Sequence, residues 1–220
     1  MTAQSLIALD IPALSVEQTG RDAFHLLNDY HVKHLPVVDE GKFSGLLSEE
    51  DIFNHKLSDP IGSYDFSQMR HFAVREDEHI FDVMRIMGDH RLTVIPVVDH
   101  ENNYLGLISQ NDLLRYFANT AAFTEPGALV VMQMNRRDYS LATIARIIED
   151  DDAKILSAFV TSLPDPEEVE VTVKVNRHDL ARVIASLERH EYEIKETFSE
   201  IEHSGNLNER YESLMNYLNM

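Results

Sequence analysis

Two periods organise the apolar positions of this chain, and the first pattern is written twice. Leu35-Pro36-Val37-Val38-Asp39 returns as Ile95-Pro96-Val97-Val98-Asp99, 60 residues on, and Gly45-Leu46-Leu47-Ser48 returns as Gly106-Leu107-Ile108-Ser109, 61 residues on. The extra residue falls in a polar segment between apolar runs, where a hairpin loop tolerates insertion. In each copy Pro-Val-Val predicts a buried strand. The proline cannot donate to a ladder, so it belongs at the strand's start or edge. Residues 39–42 and 99–103 are turn chemistry, and second strands follow over 43–47 and 104–108. Ser48-Glu49-Glu50-Asp51 and Ser109-Gln110-Asn111-Asp112 then open helices as S-x-x-D capping boxes. A repeat of this kind implies two supersecondary units that bury their apolar faces against one another.

A helix precedes each strand pair. Leu6, Ile7, Leu9 and Ile11 begin the first copy, and residues 10–14 align with 70–74 at the offset of 60. Thr19 heads a helix over 19–30 with Ala23, Phe24, Leu26, Leu27 and Tyr30 on its inner side. Ile80, Val83, Met84, Ile86 and Met87 mark its counterpart, with Met84 and Met87 as core. Residues 58–68, carrying Pro60 and Gly62, predict a linker, and 72–74 a short opening strand. The Ser109-capped helix runs through Phe117, with an extension over 118–123, and Glu125-Pro126-Gly127 marks a domain boundary.

The remainder has a different grammar. A strand is predicted over 128–134, then a helix behind Ser140 marked by Leu141, Ile144, Ala145, Ile147 and Ile148, then a strand over 154–163. Val169, Val171, Val173 and Val175 alternate with Glu170, Thr172 and Lys174, the period of a half-buried antiparallel strand. Leu180, Val183, Ile184 and Leu187 mark a helix, and a strand closes over 192–199. The order β-α-β-β-α-β is that of a ferredoxin-like split unit. Residues 207–218 predict a last amphipathic helix with Tyr211, Leu214, Met215 and Leu218 on one face, suited to docking.

Charge narrows the partners. Lys+Arg total 19 against 38 Asp+Glu, a formal charge of −19 over 220 residues. Such a surface repels phosphate backbones and anionic lipid, so neither nucleic acid nor membrane is an expected partner. With no Cys there is no disulfide, zinc thiolate or thiol nucleophile. The first residues carry no basic n-region with a long apolar core, and no apolar run approaches the roughly 20 residues of a bilayer span. A cytoplasmic protein is the expectation. The 8 Gly supply no phosphate-cradling loop, and there is no G-x-S-x-G or H-E-x-x-H. The expectation is a non-enzyme with no required cofactor.

The 11 His residues suggest no metal set. His31 and His34 are three apart in or beside a strand, a spacing that points side chains to opposite faces. Glu149-Asp150-Asp151-Asp152 reads as a solvated helix end, since hard-cation loops space their ligands.

The repeated h-P-V-V-D…G-h-h-S-x-x-D pattern resembles the cystathionine β-synthase (CBS) domain, which occurs in tandem pairs. The resemblance covers residues 1–119, with copies over 1–57 and 69–119. It implies α/β architecture, two β-α-β-β-α units related by a pseudo-twofold axis, and dimerisation of the pair into a disc. It also implies an adenosyl nucleotide (AMP, ADP, ATP or S-adenosylmethionine) as a regulatory ligand in the cleft between units. By position, Ser48 and Asp51, and Ser109 and Asp112, would contact ribose and phosphate, while His34-Leu35 and Val94-Ile95, ahead of Pro36 and Pro96, would line the base pocket. Residues 127–201 resemble an ACT domain, an α+β ferredoxin-like fold, followed by a helical tail over 202–220. Asp138-Tyr139-Ser140-Leu141 occupies the place of the ACT ligand loop without its glycine, which weakens amino-acid binding there. Arg136-Arg137 beside it could hold a carboxylate. A CBS pair followed by an ACT domain is similar to bacterial acetoin-utilisation-type regulatory proteins, and it implies a homodimer acting on an effector protein.

The Ser and Asp of each S-x-x-D serve equally as helix caps, and both readings stand. Glu49 and Glu50 beside Asp51 would repel a phosphate. Gln110 and Asn111 are neutral, and Arg115 lies three residues past Asp112 on the same helix face. A phosphorylated ligand is therefore expected at Ser109 and Asp112. The alternatives are a dimerisation module whose clefts stay empty, and amino-acid sensing through the ACT-like part.

Overall fold

The computed structural model describes residues 1–199. The chain divides into two units between Tyr116 and Phe117, upstream of Glu125-Pro126-Gly127. The extension after the repeat forms a short helix, α5 (Ala121–Thr124), that packs on a strand of the second unit.

In the first unit, one copy runs β1 (Leu14–Ser15), α1 (Gly20–Asp29), β2 (His34–Asp39), β3 (Lys42–Ser48), α2 (Glu49–Phe53). The other runs β4 (Val74–Arg75), α3 (Ile80–His90), β5 (Val94–Val98), β6 (Tyr104–Ser109), α4 (Gln110–Ala118). Each makes a three-stranded sheet, β1-β2-β3 or β4-β5-β6, with one parallel and one antiparallel pairing. The register breaks at the same place in both, between Val37 and Val38 and between Val97 and Val98. Leu35, Val37, Leu46 and Leu47 in one copy and Ile95, Val97, Leu107 and Ile108 in the other are wholly buried. Each such side chain contributes about 1.5–3 kcal/mol.

Three sequence readings need correction. The lead-in segments are exchanged between copies. Ala8 donates its N–H to the Leu107 carbonyl at 2.9 Å, and Leu46 donates to the Arg70 carbonyl at 2.8 Å. Ala8, not Asp10, therefore stands where Arg70 does, and the constant offset of 60 fails ahead of β1. The first copy carries two more residues between this contact and its first strand, Ala8 to Leu14 against Arg70 to Val74. Residues 58–68 are not a bare linker: their 3-10 turns bury Ile61 and Tyr64, and Met69 follows them into the core. Met84 and Tyr30 are 40% and 39% exposed. The buried stripe of α3 is Ile80, Val83 and Met87, and Met84, turned about 100° from Val83, falls off it.

The exchange explains a motif residue. A Cβ on Gly106, whose φ is +147°, would lie 2.4 Å from Ile7 Cγ2. The first copy's lead-in lies on Gly106 itself, and only glycine tolerates both the contact and the dihedral.

The second unit continues with β7 (Ala128–Asn135), α6 (Leu141–Asp150), β8 (Ile155–Ser162), β9 (Glu168–Val175), α7 (Ala181–Arg189) and β10 (Glu193–Ser199). The antiparallel sheet has the order β10-β7-β9-β8, so the β-α-β-β-α-β unit stands as expected. The β9 valines pack with Ile144, Ile147, Ile148, Val183 and Leu187 in one core, and Ser140 caps α6 by accepting the Thr143 N–H at 3.3 Å. The predicted helix over 207–218 lies outside the described residues.

Candidate functional site: a cleft at the start of α4

Both S-x-x-D motifs form complete capping boxes. Ser109 donates its N–H and hydroxyl to Asp112 Oδ2 at 2.9 and 2.6 Å, and Asp112 N–H returns to Ser109 Oγ at 3.1 Å. Ser48 and Asp51 reproduce this at 2.8, 2.6 and 3.3 Å. One carboxylate oxygen of each Asp is thus committed to the cap. The other differs between the copies in one known respect: Asp112 Oδ1 accepts from Arg115 at 3.4 Å.

A cavity of about 150 Å³ opens at the start of α4. Ser109, Asp112 and Arg115 line it from the second copy together with Thr93, and Asp10, Tyr30 and His31 line it from the first. The cavity is therefore shared by the two copies. The Gln110 N–H is already given to the Thr93 carbonyl at 3.0 Å. An anion here would meet the Arg115 guanidinium, 73% exposed, sooner than that helix-start amide.

The structure separates the other candidates. Val94, Ile95 and Pro96 belong to β5 and are buried, with no exposed surface on Val94 and Ile95. Leu35 is likewise wholly buried in β2. These four side chains form core rather than cavity wall, because the pleat of a strand covered on both faces turns them all inward. His34 is 6% exposed. Its Nδ1 accepts the Thr93 N–H at 3.4 Å and lies 3.2 Å from Thr93 Oγ1, while Nε2 lies 3.5 Å from the Arg70 guanidinium. Burial, then the Arg70 charge, pulls the imidazole down to about 4, against an opposing pull from Asp51. His34 is neutral at pH 7 and joins the copies through Thr93.

Sequence reasoning missed Thr93, Asp10, Tyr30 and His31. Thr93 had a readable signal, since it directly precedes the second copy's Val94-Ile95-Pro96. His31 had none: it turns into the cavity because it holds a left-handed backbone, φ 53°, at the end of α1. Among the described residues, no three His, Asp or Glu side chains gather as a metal site.

In the second unit, a cavity of about 440 Å³ lies at the loop after β7, lined by Asp138, Glu168, His190, Tyr192 and Glu193 among others. Arg136 does not serve it as a carboxylate clamp. Its guanidinium is tied to the Pro166 carbonyl and Ser162 Oγ at 3.2 and 3.0 Å.

The family described as the CBS domain matches residues 4–58 and again 64–119, together just over half of the chain. An uncharacterised protein of Methanocaldococcus jannaschii is 31% identical over 105 residues, covering 48% of this chain and 40% of that one. Among solved structures, a CBS domain pair/ACT domain protein from Thermotoga maritima is 24% identical with a TM-score of 0.48, covering 53% of this chain and 96% of that one. The protein CBSX2, solved in complex with AMP, is 20% identical with a TM-score of 0.44, covering 53% of this chain and 95% of that one. The chain spans less than half the length of the curated archaeal relative.

Proposed function

The chain belongs to the CBS-domain family, and we propose that it is a regulatory sensor that binds an adenosyl ligand at the start of α4 and relays occupancy to an effector protein. AMP, ADP, ATP and S-adenosylmethionine are the candidate ligands. The observation that carries this reading is the two-copy composition of the cavity. Asp112 Oδ1 offers an acceptor to ribose hydroxyls, Arg115 a cation to phosphate, and the residues opposite come from the first copy. Ligand pockets run from roughly 300 Å³ upward, so a whole nucleotide requires the copies to part around the present 150 Å³. A ligand that binds the parted arrangement better shifts the pair toward it. The protein acts without catalysis, as a homodimer built through the repeated pair.

The same small volume supports a second reading, a dimerisation module with empty clefts, in which both Asp residues are caps alone. Thermal unfolding of the full chain with the four compounds separates the two. A ligand at about 100 times its Kd stabilises by about 2.7 kcal/mol. Asp112→Asn and Arg115→Ala should remove that shift, and Asp51→Asn should leave it. No shift with any compound gives the empty-cleft reading, and a shift lost only in Asp51→Asn moves the ligand to the first copy's cap.

A further inference from the structure

The second unit's sheet packs one face on α6 and α7 and carries a hollow on the other. Strand alternation puts Leu129, Thr172 and Lys174 opposite the valine core. Pairing sets Phe198, Leu129, Lys174 and Ser157 in one row across β10, β7, β9 and β8, with Phe159 beside Thr172 in the next row. With Phe123 of α5 these residues line a cavity of about 560 Å³. Phe123, Phe159 and Phe198 are 61%, 51% and 45% exposed, and apolar surface gathered in this way marks a binding site. Lys174 is half-buried and is the one charged side chain among the described residues that line the cavity. No carboxylate among the described residues pairs with its ammonium.

We propose that this hollow binds an aromatic carboxylate, a flat apolar body carrying one negative charge. Its volume falls within the roughly 300–1,000 Å³ of small-molecule pockets, which are mostly apolar and aromatic with a few placed polar groups. The phenylalanine rings can take an aromatic body edge-to-face or offset. A half-buried ammonium without a counter-ion has lost hydration and gained no partner. A carboxylate arriving with the ring supplies that partner through a charge-assisted hydrogen bond, whereas a neutral or cationic ligand leaves Lys174 unpaired. Farther along β9 the same face turns acidic at Glu170 and Glu168, which confines an anion to the Lys174 end. The same charge disfavours a second copy. A twofold contact centred on the hollow sets like patches together, and the two copies' Lys174 side chains would then repel.

Titration calorimetry of the full chain with 2-naphthoate and its neutral isostere 2-naphthamide tests this. The carboxylate should bind at least about tenfold more tightly than the amide, the difference that a hydrogen bond to a charged group makes. Lys174→Met should erase that difference, and Phe159→Ser and Phe198→Ser should each weaken both compounds. Arg115→Ala, in the cavity at the start of α4, should change neither. Equal affinity of the two compounds for the unaltered protein overturns the proposal, as does no binding of 2-naphthoate at ~1 mM. Binding lost in Arg115→Ala and kept in Lys174→Met overturns it too, by moving the anion to the other cavity. A dimer that Phe159→Ser dissociates in sedimentation, with no 2-naphthoate bound, assigns the face to a second copy instead.

Discussion

The two copies of the repeat fold alike and are not alike in what surrounds their equivalent residues. Their sheets share topology, bulge position and capping-box geometry to within about 0.2 Å. Yet β2 begins with a buried, neutral His34 where β5 begins with Val94. Acidic residues crowd one cap at Glu49 and Glu50, whereas Gln110 and Asn111 flank the other with Arg115 one turn on. Repetition thus builds the scaffold, and the departures from repetition set the charge around each cap.

The glycines test this most severely. Gly106→Ala forces a Cβ against Ile7 at a positive φ, so a loss of about 2–4 kcal/mol is expected in chemical denaturation. At Gly45 the nearest obstacle is the Met69 side chain at 3.3 Å, and the same change should cost about 1 kcal/mol or less. Equal losses would mean that the lead-in segments cover both glycines alike.

Acid should separate the copies next. The folded value of His34 is depressed to about 4 from an ordinary 6.5. Above pH 6.5 both folded and unfolded states hold it neutral, and no stability depends on its proton. As pH falls from 6.5 toward 4 the unfolded chain takes up a proton the folded chain refuses. Stability should therefore decline by up to about 3 kcal/mol across that window. His34→Val, which copies the second repeat, should flatten that part of the stability–pH profile. An unchanged profile would assign the acid sensitivity to another group.

The caps give the smallest effect. Ser48→Ala and Ser109→Ala should each cost about 1 kcal/mol in thermal unfolding, with no difference between them. Removing Ser109 should in addition weaken nucleotide binding, whereas removing Ser48 should not, which separates a cap from a ligand contact by calorimetry.

Much of this protein was legible in the order of its residues because the relevant physics is local. Strand and helix periods are set by backbone geometry within a few residues, so the repeated Pro-Val-Val, the S-x-x-D boxes and the alternating β9 valines announced both units and their connectivity. The caps were readable for the same reason: Ser and Asp three apart meet within one turn. Tertiary structure alone decided the exchange of lead-in segments, the burial of Leu35, Val94 and Ile95, and the meeting of His31 and Asp10 with Asp112. Those contacts join residues from 24 to about 100 positions apart. No local period records such distances, and they form only when two apolar faces close on each other.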